Sequence, residues 1–390
     1  MKLSLFKTIL LGVFGVGALV GVFVFATYTA STDSADTVGP VVIWGTLPEA
    51  GIQSILSSLA QTEATLKEVS YLQKNPTTLA ADIAVAIATG ATPDLILASQ
   101  EELRALTKFI MPIPLETRSA NAFVNTFLDE GRLFSTPNGA GYYGMPFLVD
   151  PLVLFSNRSI LSSSGIARPP ATWEALIGLV PNIATLTPTR QITRGLIALG
   201  TYDNVRNARA ILSTLFLQQD IPMSGYTTNG TLSANLDKSS SGASVGPSVL
   251  GFYTQFADPS KVSYTWNSSL PDSQQMFVAG NLALYLGYVS EARYLRDANP
   301  NLNFTVTTVP QSATARAKSV YGLVYAFMIP RGAKNTTGAY QAAVLLTNPA
   351  QQSLAAAATG LAPATLTTLS QIPPDNVVAA VSYPEALYSR

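Results

Sequence analysis

Carboxylates, lysines, tyrosines and serines must carry any chemistry of this chain, because its 390 residues include no cysteine and no histidine. Without cysteine there are no disulfides, thiolate nucleophiles, Cys-ligated zinc sites or iron–sulfur clusters. Without histidine the commonest general base and metal ligand is absent. A glycoside hydrolase needs two acids ~5–10 Å apart, and the acid that stands out, Asp150, has no evident partner in the sequence. We therefore expect a protein that is not an enzyme, with no catalytic residue, no metal and no cofactor.

Asp150 lies in the stretch Gly141 to Asn157, which reads GYYGMPFLVDPLVLFSN. Its β-rich apolar run is long enough for a strand that leaves one globular unit at the proline and enters another. Asp150 would then lie at the crossing between the two units. The aromatic pair Tyr142 and Tyr143 could line a cleft there, but we favour pairing across strands.

The composition allows two domains with proper cores, since 47% of the residues are hydrophobic. The 23 basic and 23 acidic residues balance. Nucleic acid and acidic membrane surfaces are therefore poor partners, because both require a basic face. Charged residues make up only 12% of the chain, about half of the usual ~25%. A neutral surface of Ser, Thr, Asn and Gln suits secreted proteins and uncharged ligands.

An apolar block from Thr8 to Thr29 follows Lys2 and Lys7. About twenty such residues span the hydrocarbon core of a bilayer, and the lysines place the N-terminus in the cytoplasm. We predict a cytoplasmic stub and transmembrane signal anchor at 1–32 and a polar tether at 33–39. The protein would be a single-pass protein of the cell membrane with its ectodomain outside. A cleaved signal peptide is the alternative, although its apolar core is usually ~7–15 residues long.

Strands and helices alternate where the ectodomain begins. The predicted elements are a strand at 41–44, a helix at 48–60, a strand at 66–72, a helix from Asn75-Pro76 to Gly90 and a strand at 95–98. This order predicts a parallel sheet covered by helices. Ligands bind such sheets at the carboxyl ends of the strands, here 44–46 and 98–101.

The rest of the chain is largely helical after Asn157, with strands returning near the C-terminus. The later predicted strands are 282–286, 303–309 and 320–329, and the later predicted helices are 271–279, 290–298, 335–347 and 349–359. No internal repeat is found.

Several segments together resemble the family 1 extracellular solute-binding proteins of ABC importers, the maltose-binding-protein-like group. Each segment alone is weakly specific, but their order and spacing cover nearly the whole ectodomain. The matching segments are VVIWGT at 41–46, LAADIAVAIATGATPDLIL at 79–97, YYGMPFLVDPLVLFSN at 142–157, PPATWEAL at 169–176, FVAGNLALYLGY at 277–288, VTTVPQ at 306–311 and VYGLVYAFMIPRG at 320–332.

The resemblance implies an α/β, two-lobed, periplasmic-binding-protein-like fold of type II that closes on a solute and is preceded here by one N-terminal transmembrane helix. The implied partners are a small-molecule solute, ABC permease subunits and, through the N-terminal helix, the lipid bilayer, and we expect a monomer. Lobe one would comprise 40–145 plus 287–319, and lobe two 146–286 plus 320–390. The implied hinge crossings fall near Met145 to Val149, Leu284 to Gly287 and Val320 to Leu323.

Three residues lead the list of expected ligand contacts. By the resemblance, Asp150 stands where sugar-binding members have an acid that accepts hydrogen bonds from ligand hydroxyls, and such charge-assisted bonds are strong. An ion pair or a cap across the hinge is the alternative. Trp44, after the first strand, could stack on a sugar ring or pack in the core. Trp266 lies among polar residues just before a helix, which favours ligand contact.

Four further residues complete the expected site. By the resemblance, Tyr285 and Tyr288 bracket the crossing at Gly287, where family members often carry an aromatic ligand contact; the family's Trp is missing here. Glu49 and Glu101 end strand-to-helix loops and could reach the ligand or serve as solvated caps.

The resulting hypothesis is a membrane-tethered protein that captures a solute, most simply a saccharide, between two lobes and delivers it to an ABC permease. One alternative is a surface sensor or adhesion module with the same fold. Another is a binder of peptides in place of sugars.

Overall fold

A computed structural model describes residues 38–390 apart from 228–230, 238 and 374. Most strands belong to one mixed sheet, in the order β2-β1-β3-β14-β7-β12-β9-β8, with β13 and β15 paired to β7 and β4 paired to β14. The strands are β1 Val41–Gly45, β2 Val69–Gln73, β3 Leu95–Ser99, β4 Ile110–Met111, β5 Ile113–Pro114, β6 Gly141–Tyr142, β7 Met145–Asn157, β8 Thr185–Leu186, β9 Ile192–Ile197, β10 Met223–Tyr226, β11 Leu232–Asn235, β12 Leu282–Tyr288, β13 Phe304–Thr307, β14 Gly322–Pro330 and β15 Ala362–Pro363.

Helices cover the sheet. They are α1 Glu49–Thr62, α2 Leu79–Thr89, α3 Gln100–Leu106, α4 Ala120–Thr126, α5 Arg158–Ser163, α6 Trp173–Ile177, α7 Val180–Ile183, α8 Ala208–Gln218, α9 Gly246–Thr254, α10 Ser273–Val278, α11 Glu291–Ala298, α12 Thr336–Leu346, α13 Pro349–Thr359, α14 Leu366–Leu369 and α15 Ala379–Leu387.

The opening of the fold is the parallel unit that the alternating pattern predicts. β1 pairs in parallel with both β2 and β3. Gly90 ends α2 in the left-handed conformation, at φ 70°, which glycine adopts without steric cost. Because Gly45 is in register with Leu97, the carboxyl ends of β1 and β3 lie side by side. α1 buries the apolar residues that its helical spacing predicts, namely Ile52, Ile55, Leu56 and Leu59.

One strand, β7, joins the two parts of the sheet. It has 13 residues, and all of them are buried. Up to Pro151 it pairs with β14 and β15. From Leu152 onward it pairs with β12 and β13. The predicted crossing at Met145 to Val149 therefore lies within this strand. We call the part built on β1, β2, β3 and β14 the first lobe and the part built on β8, β9, β12 and β13 the second lobe.

The predicted lobe boundaries are wrong for the last third of the chain. β14 pairs with β3 and β4, and α13 packs on α1, so 320–390 belongs largely to the first lobe and not to the second. β12 and β13 pair with the second part of β7, which places 287–319 in the second lobe and not in the first. Sheet membership depends on pairing between distant segments, and the order of elements along the chain does not reveal it.

The predicted crossing at Leu284 to Gly287 is wrong for the same reason. After β12 the chain stays with the second lobe through α11. Asn299, which directly follows α11, donates a hydrogen bond to the Val278 carbonyl at 2.7 Å. It returns to the first lobe only at Val320, just before β14.

Candidate functional site

Polar side chains gather where β7 changes partners. Asp150 lies in the middle of β7 and Tyr288 ends β12. Tyr321 directly precedes β14, and Tyr325 lies within its first half. Burial, and then the charges of Tyr321 and Asp150, raise the pKa of Tyr288 well above its usual value. Burial and then Asp150 do the same to the pKa of Tyr325. Tyr288 pairs with Leu152 and Tyr325 pairs with Leu148, on either side of Asp150 in β7, so these groups lie close together at the junction of the lobes.

Asp150 caps the helix that follows β12. It is 3% exposed, and its Oδ1 accepts a hydrogen bond from the backbone N–H of Ser290 at 3.0 Å, just before α11 begins. Burial raises the pKa of Asp150 to about 7, and the charge of Glu291 adds to the rise against the hydrogen bonds from Ser290. The cap across the hinge, which the sequence left as the alternative, is thus present. Contact between Asp150 and a ligand stays a prediction.

Tyr288 is held by the half-buried carboxylate of Glu291. The backbone N–H of Tyr288 donates to Glu291 Oε1 at 2.9 Å, and the same oxygen accepts a hydrogen bond from Asn207 at 2.8 Å. Gly287 makes this turn feasible, because a Cβ there would lie 2.6 Å from the Tyr285 ring. Tyr288 itself is half-buried and lies at the lobe junction. Its contact with a ligand stays a prediction.

Glu101 links the two lobes. It lies in the first turn of α3, whose start is capped by Ser99. Its Oε1 forms an ion pair with Arg209 of α8, in the second lobe, and accepts a hydrogen bond from the Tyr321 hydroxyl at 2.6 Å. The side chains are 59% exposed for Arg209 and 26% for Glu101. Glu101 therefore lies at the facing surfaces of the lobes with its carboxylate engaged by the opposite lobe, and its contact with a ligand stays a prediction.

Trp44 and Glu49 lie at the carboxyl end of β1, as the sequence predicts. Trp44 is half-buried against the core, and the Lys74 ammonium lies 3.8 Å from its ring centroid, a cation–π contact. Glu49 is exposed at the start of α1, where its backbone N–H donates to Gln73 at 3.0 Å. Their roles as ligand contacts stay predictions.

Two of the expected aromatic contacts are wrong for this conformation. Trp266 is 0% exposed, and its indole N–H donates to Asn204 Oδ1 at 3.1 Å. Tyr285 is 1% exposed and bonds through its hydroxyl to Glu291. Both rings are enclosed by the described part of the chain, so a sugar could not stack on either. Both residues support the second lobe from within, because each buried polar tip finds a partner.

A cavity of about 420 Å³ separates α11 of the second lobe from α13, α15 and the segment before α15. Reasoning from the sequence missed this wall, since its C-terminal residues are mostly small and show no cluster of aromatic or charged side chains. The cavity is lined by Val289, Ser290, Ala292, Arg293, Arg296, Ser353, Ala356, Ala357, Thr359, Gly360, Leu361, Gln371, Pro373, Asn376, Val378, Ala379, Ser382 and Tyr383. Hydroxyl, amide and guanidinium groups thus line a cavity that is large enough for a small ligand. The described part of the chain offers no group of three or more acids placed to hold a metal ion.

Comparison with known proteins identifies the family. The family described as bacterial extracellular solute-binding protein matches residues 60–381. The chain belongs to this family. The predicted relationship to the maltose-binding-protein-like group is confirmed. A search of curated proteins found no match.

Solved structures of other solute-binding proteins share the fold. The cyclic α-maltosyl-1,6-maltose binding protein from Arthrobacter globiformis is 13% identical, with a TM-score of 0.70 over 90% of this chain and 88% of that one. A Thermotoga lettingae ABC transporter solute-binding protein bound with α-D-tagatose is 18% identical, with a TM-score of 0.63 over 90% of each chain. The Thermus thermophilus maltotriose binding protein is 16% identical, with a TM-score of 0.61 over 89% and 86%. These likenesses support the two-lobed α/β fold of the solute-binding protein.

The predicted membrane anchor at 1–32 lies outside the described residues. Within the part of the chain that the structure describes, no helix is both long and apolar enough to cross a membrane.

Proposed function

We propose that this solute-binding protein captures a saccharide between its two lobes and delivers it to an ABC permease. The observation that carries the proposal is the cavity of about 420 Å³ between α11 and the helices of the first lobe. Serine, threonine, glutamine and asparagine side chains on its walls can both donate and accept hydrogen bonds, as a polyol requires. The similar structures include proteins that bind maltotriose, α-D-tagatose and a cyclic maltosyl-maltose, which supports the same class here.

Closure would follow from contacts on both sides of the ligand. A solute that touches α11 and α15 at once binds the closed arrangement better than an open one, and this difference shifts the population of the two states. The first lobe in this proposal is 38–150 plus 321–390, and the second is 151–320. Asp150, Tyr288 and Glu101 lie where the lobes meet but do not line this cavity, and their contact with the ligand is part of the proposal.

Residues 8–29 would hold the protein at the membrane. The support is their length and the absence of charge between Lys7 and Asp33. Membrane fractionation of cells that express the full chain tests this: the protein should stay in the membrane pellet after alkaline carbonate washing, with its N-terminal residues still present. A chain that begins after residue 30 and appears in the soluble fraction would show that the segment is a cleaved signal.

A thermal-shift screen tests the ligand class. Mono- and oligosaccharides, polyols, amino acids and peptides should be compared, and a saccharide at 100 times its Kd should stabilise the fold by about 2.7 kcal/mol. Stabilisation by peptides alone would refute the saccharide proposal and leave the fold unaffected. Co-purification of an ABC permease with the full chain would support delivery, and its absence from a saccharide-binding preparation would favour a sensor.

A further inference from the structure

We infer that the ligand of this cavity is an acidic saccharide, one that carries a carboxylate or a phosphate or sulfate ester. The inference rests on the proposed saccharide-binding function and concerns the same site. It begins with the charges on the cavity wall. Among the described residues, the charged side chains that line the cavity are two arginines of α11, Arg293 and Arg296, and no aspartate or glutamate lines it.

The described residues of the wall offer a neutral sugar hydroxyl and amide partners, but no carboxylate and little aromatic surface. The sugar's hydroxyl groups donate hydrogen bonds, and carboxylates are the strong acceptors for them. Its apolar faces stack on aromatic rings, but the aromatic ring on the wall, Tyr383, is 4% exposed. Two guanidinium groups match an anion better, because their N–H donors fit carboxylate and phosphate oxygens in pairs.

Arg296 is placed to receive the anionic group. It lines the inner cavity and also an outer depression of about 510 Å³, so it lies where the cavity opens to solvent. In the described part of the chain Arg296 has no acidic partner within 4 Å, whereas Arg293 faces Asp297 at 3.7 Å. Asp375 lines only the outer depression. The charge of Arg296 is thus left for a ligand.

A buried hydroxyl supplies a second, independent sign of a polar ligand. Ser382 of α15 lines the cavity from the wall opposite α11 and is 1% exposed. Its Oγ makes no hydrogen bond with the residues that the structure describes, and a buried polar atom without a partner is costly. A ligand oxygen in the cavity would satisfy this hydroxyl, while the same ligand's charge would lie at the arginine-lined mouth.

The test compares matched ligands on the full chain, purified in detergent. Calorimetry should be run with a neutral disaccharide, the same disaccharide with one uronic acid, and a sugar phosphate. We expect an acidic ligand to bind at least about tenfold more tightly than the neutral one, the worth of one charge-assisted hydrogen bond. Its affinity should fall as salt is raised, because the mouth of the cavity is exposed to screening. The uronate and phosphate arms show which anion the site prefers.

Two variants and a matched control locate the effect. Arg296→Gln should abolish the preference for the acidic ligand, whereas Arg316→Gln removes the same charge from a loop outside the cavity and should keep it. Ser382→Ala should weaken both ligand types to a similar degree. Equal binding of neutral and acidic saccharides, or a preference that survives Arg296→Gln, would overturn the inference while the proposed function stands. If no saccharide binds, the proposed function fails as well.

Discussion

Replacing Asp150 by Asn should make the protein more stable at high pH, although it removes a carboxylate from the hinge. Asp150 is almost fully buried, and the hydrogen bond that its Oδ1 accepts from the Ser290 backbone can also be accepted by the amide oxygen of asparagine. Burial raises the pKa of Asp150 from 3.8 to about 7. An acid whose pKa is raised in the folded state stabilises the fold while it is protonated and loses that contribution as it ionises.

The magnitude follows from the two pKa values. The unfolded chain ionises this group near pH ~3.9, and the folded chain near pH 7. Each pKa unit corresponds to about 1.36 kcal/mol, so ionised Asp150 costs on the order of 4 kcal/mol at high pH. The contribution is fully present below pH ~4 and is lost as the pH rises through 7. The asparagine side chain does not titrate, so the variant escapes this loss.

Urea denaturation of residues 38–390 measures the difference. Wild type and Asp150→Asn should have similar free energies of unfolding near pH ~4, and the variant should be more stable by several kcal/mol at pH ~9, above the folded-state pKa. Burial also raises the pKa values of Glu130 and Glu385 to about 8, so the wild type loses further stability over a similar range. Their effects cancel in the comparison at each pH, because both proteins contain them.

A difference that does not change with pH would refute the reasoning. So would a variant that is less stable than the wild type at high pH, since that result would mean that the ionised carboxylate is stabilised by its surroundings. Asp150→Ala serves as a control, because it removes the acceptor for Ser290 as well and should destabilise the fold at low pH.

Two further predictions concern the lobe junction and the misassigned aromatic residue. Glu101→Gln and Arg209→Gln should be combined in a double-mutant cycle. Because the ion pair is partly exposed, we expect a coupling free energy of about 0.5–1 kcal/mol. Additive effects of the two substitutions would mean that the ion pair does not join the lobes in solution. X-ray scattering of the ligand-free Arg209→Gln variant should also show a larger radius of gyration. Trp266→Ala should destabilise the fold by about 3–5 kcal/mol, as for other buried aromatic residues. The saccharide affinity of the folded fraction should be unchanged. A large loss of affinity without a loss of stability would show that Trp266 contacts the ligand.

Local patterns predicted the opening of the fold well. Helical spacing and the proline and glycine boundaries gave β1 to β3 and the helices between them, because these signals depend on neighbouring residues. The long apolar run of β7 was equally visible. The lobe boundaries were not, since β14 pairs with β3 across a long separation in sequence, and local periodicity carries no information about such partners.

The candidate site was predictable only in part. Strand ends and turns are readable from the sequence. The sequence could therefore place Glu101 and Tyr288 near the lobe junction, where the structure has them. Trp266 was misassigned because its polar neighbours suggested a surface, whereas Asn204, distant in sequence, supplies a buried partner for its indole N–H. The cavity wall formed by α15 went unnoticed for another reason: small residues such as Ala379 leave space, and space is a property of the packed structure.

The most direct test of the central claim is a calorimetric titration of the purified chain with the saccharide that gives the largest thermal shift. The account predicts saturable binding of one saccharide per chain, with a negative heat-capacity change as the cleft closes and buries surface. Saturable binding of a peptide or amino acid, with no heat from any saccharide, would contradict it.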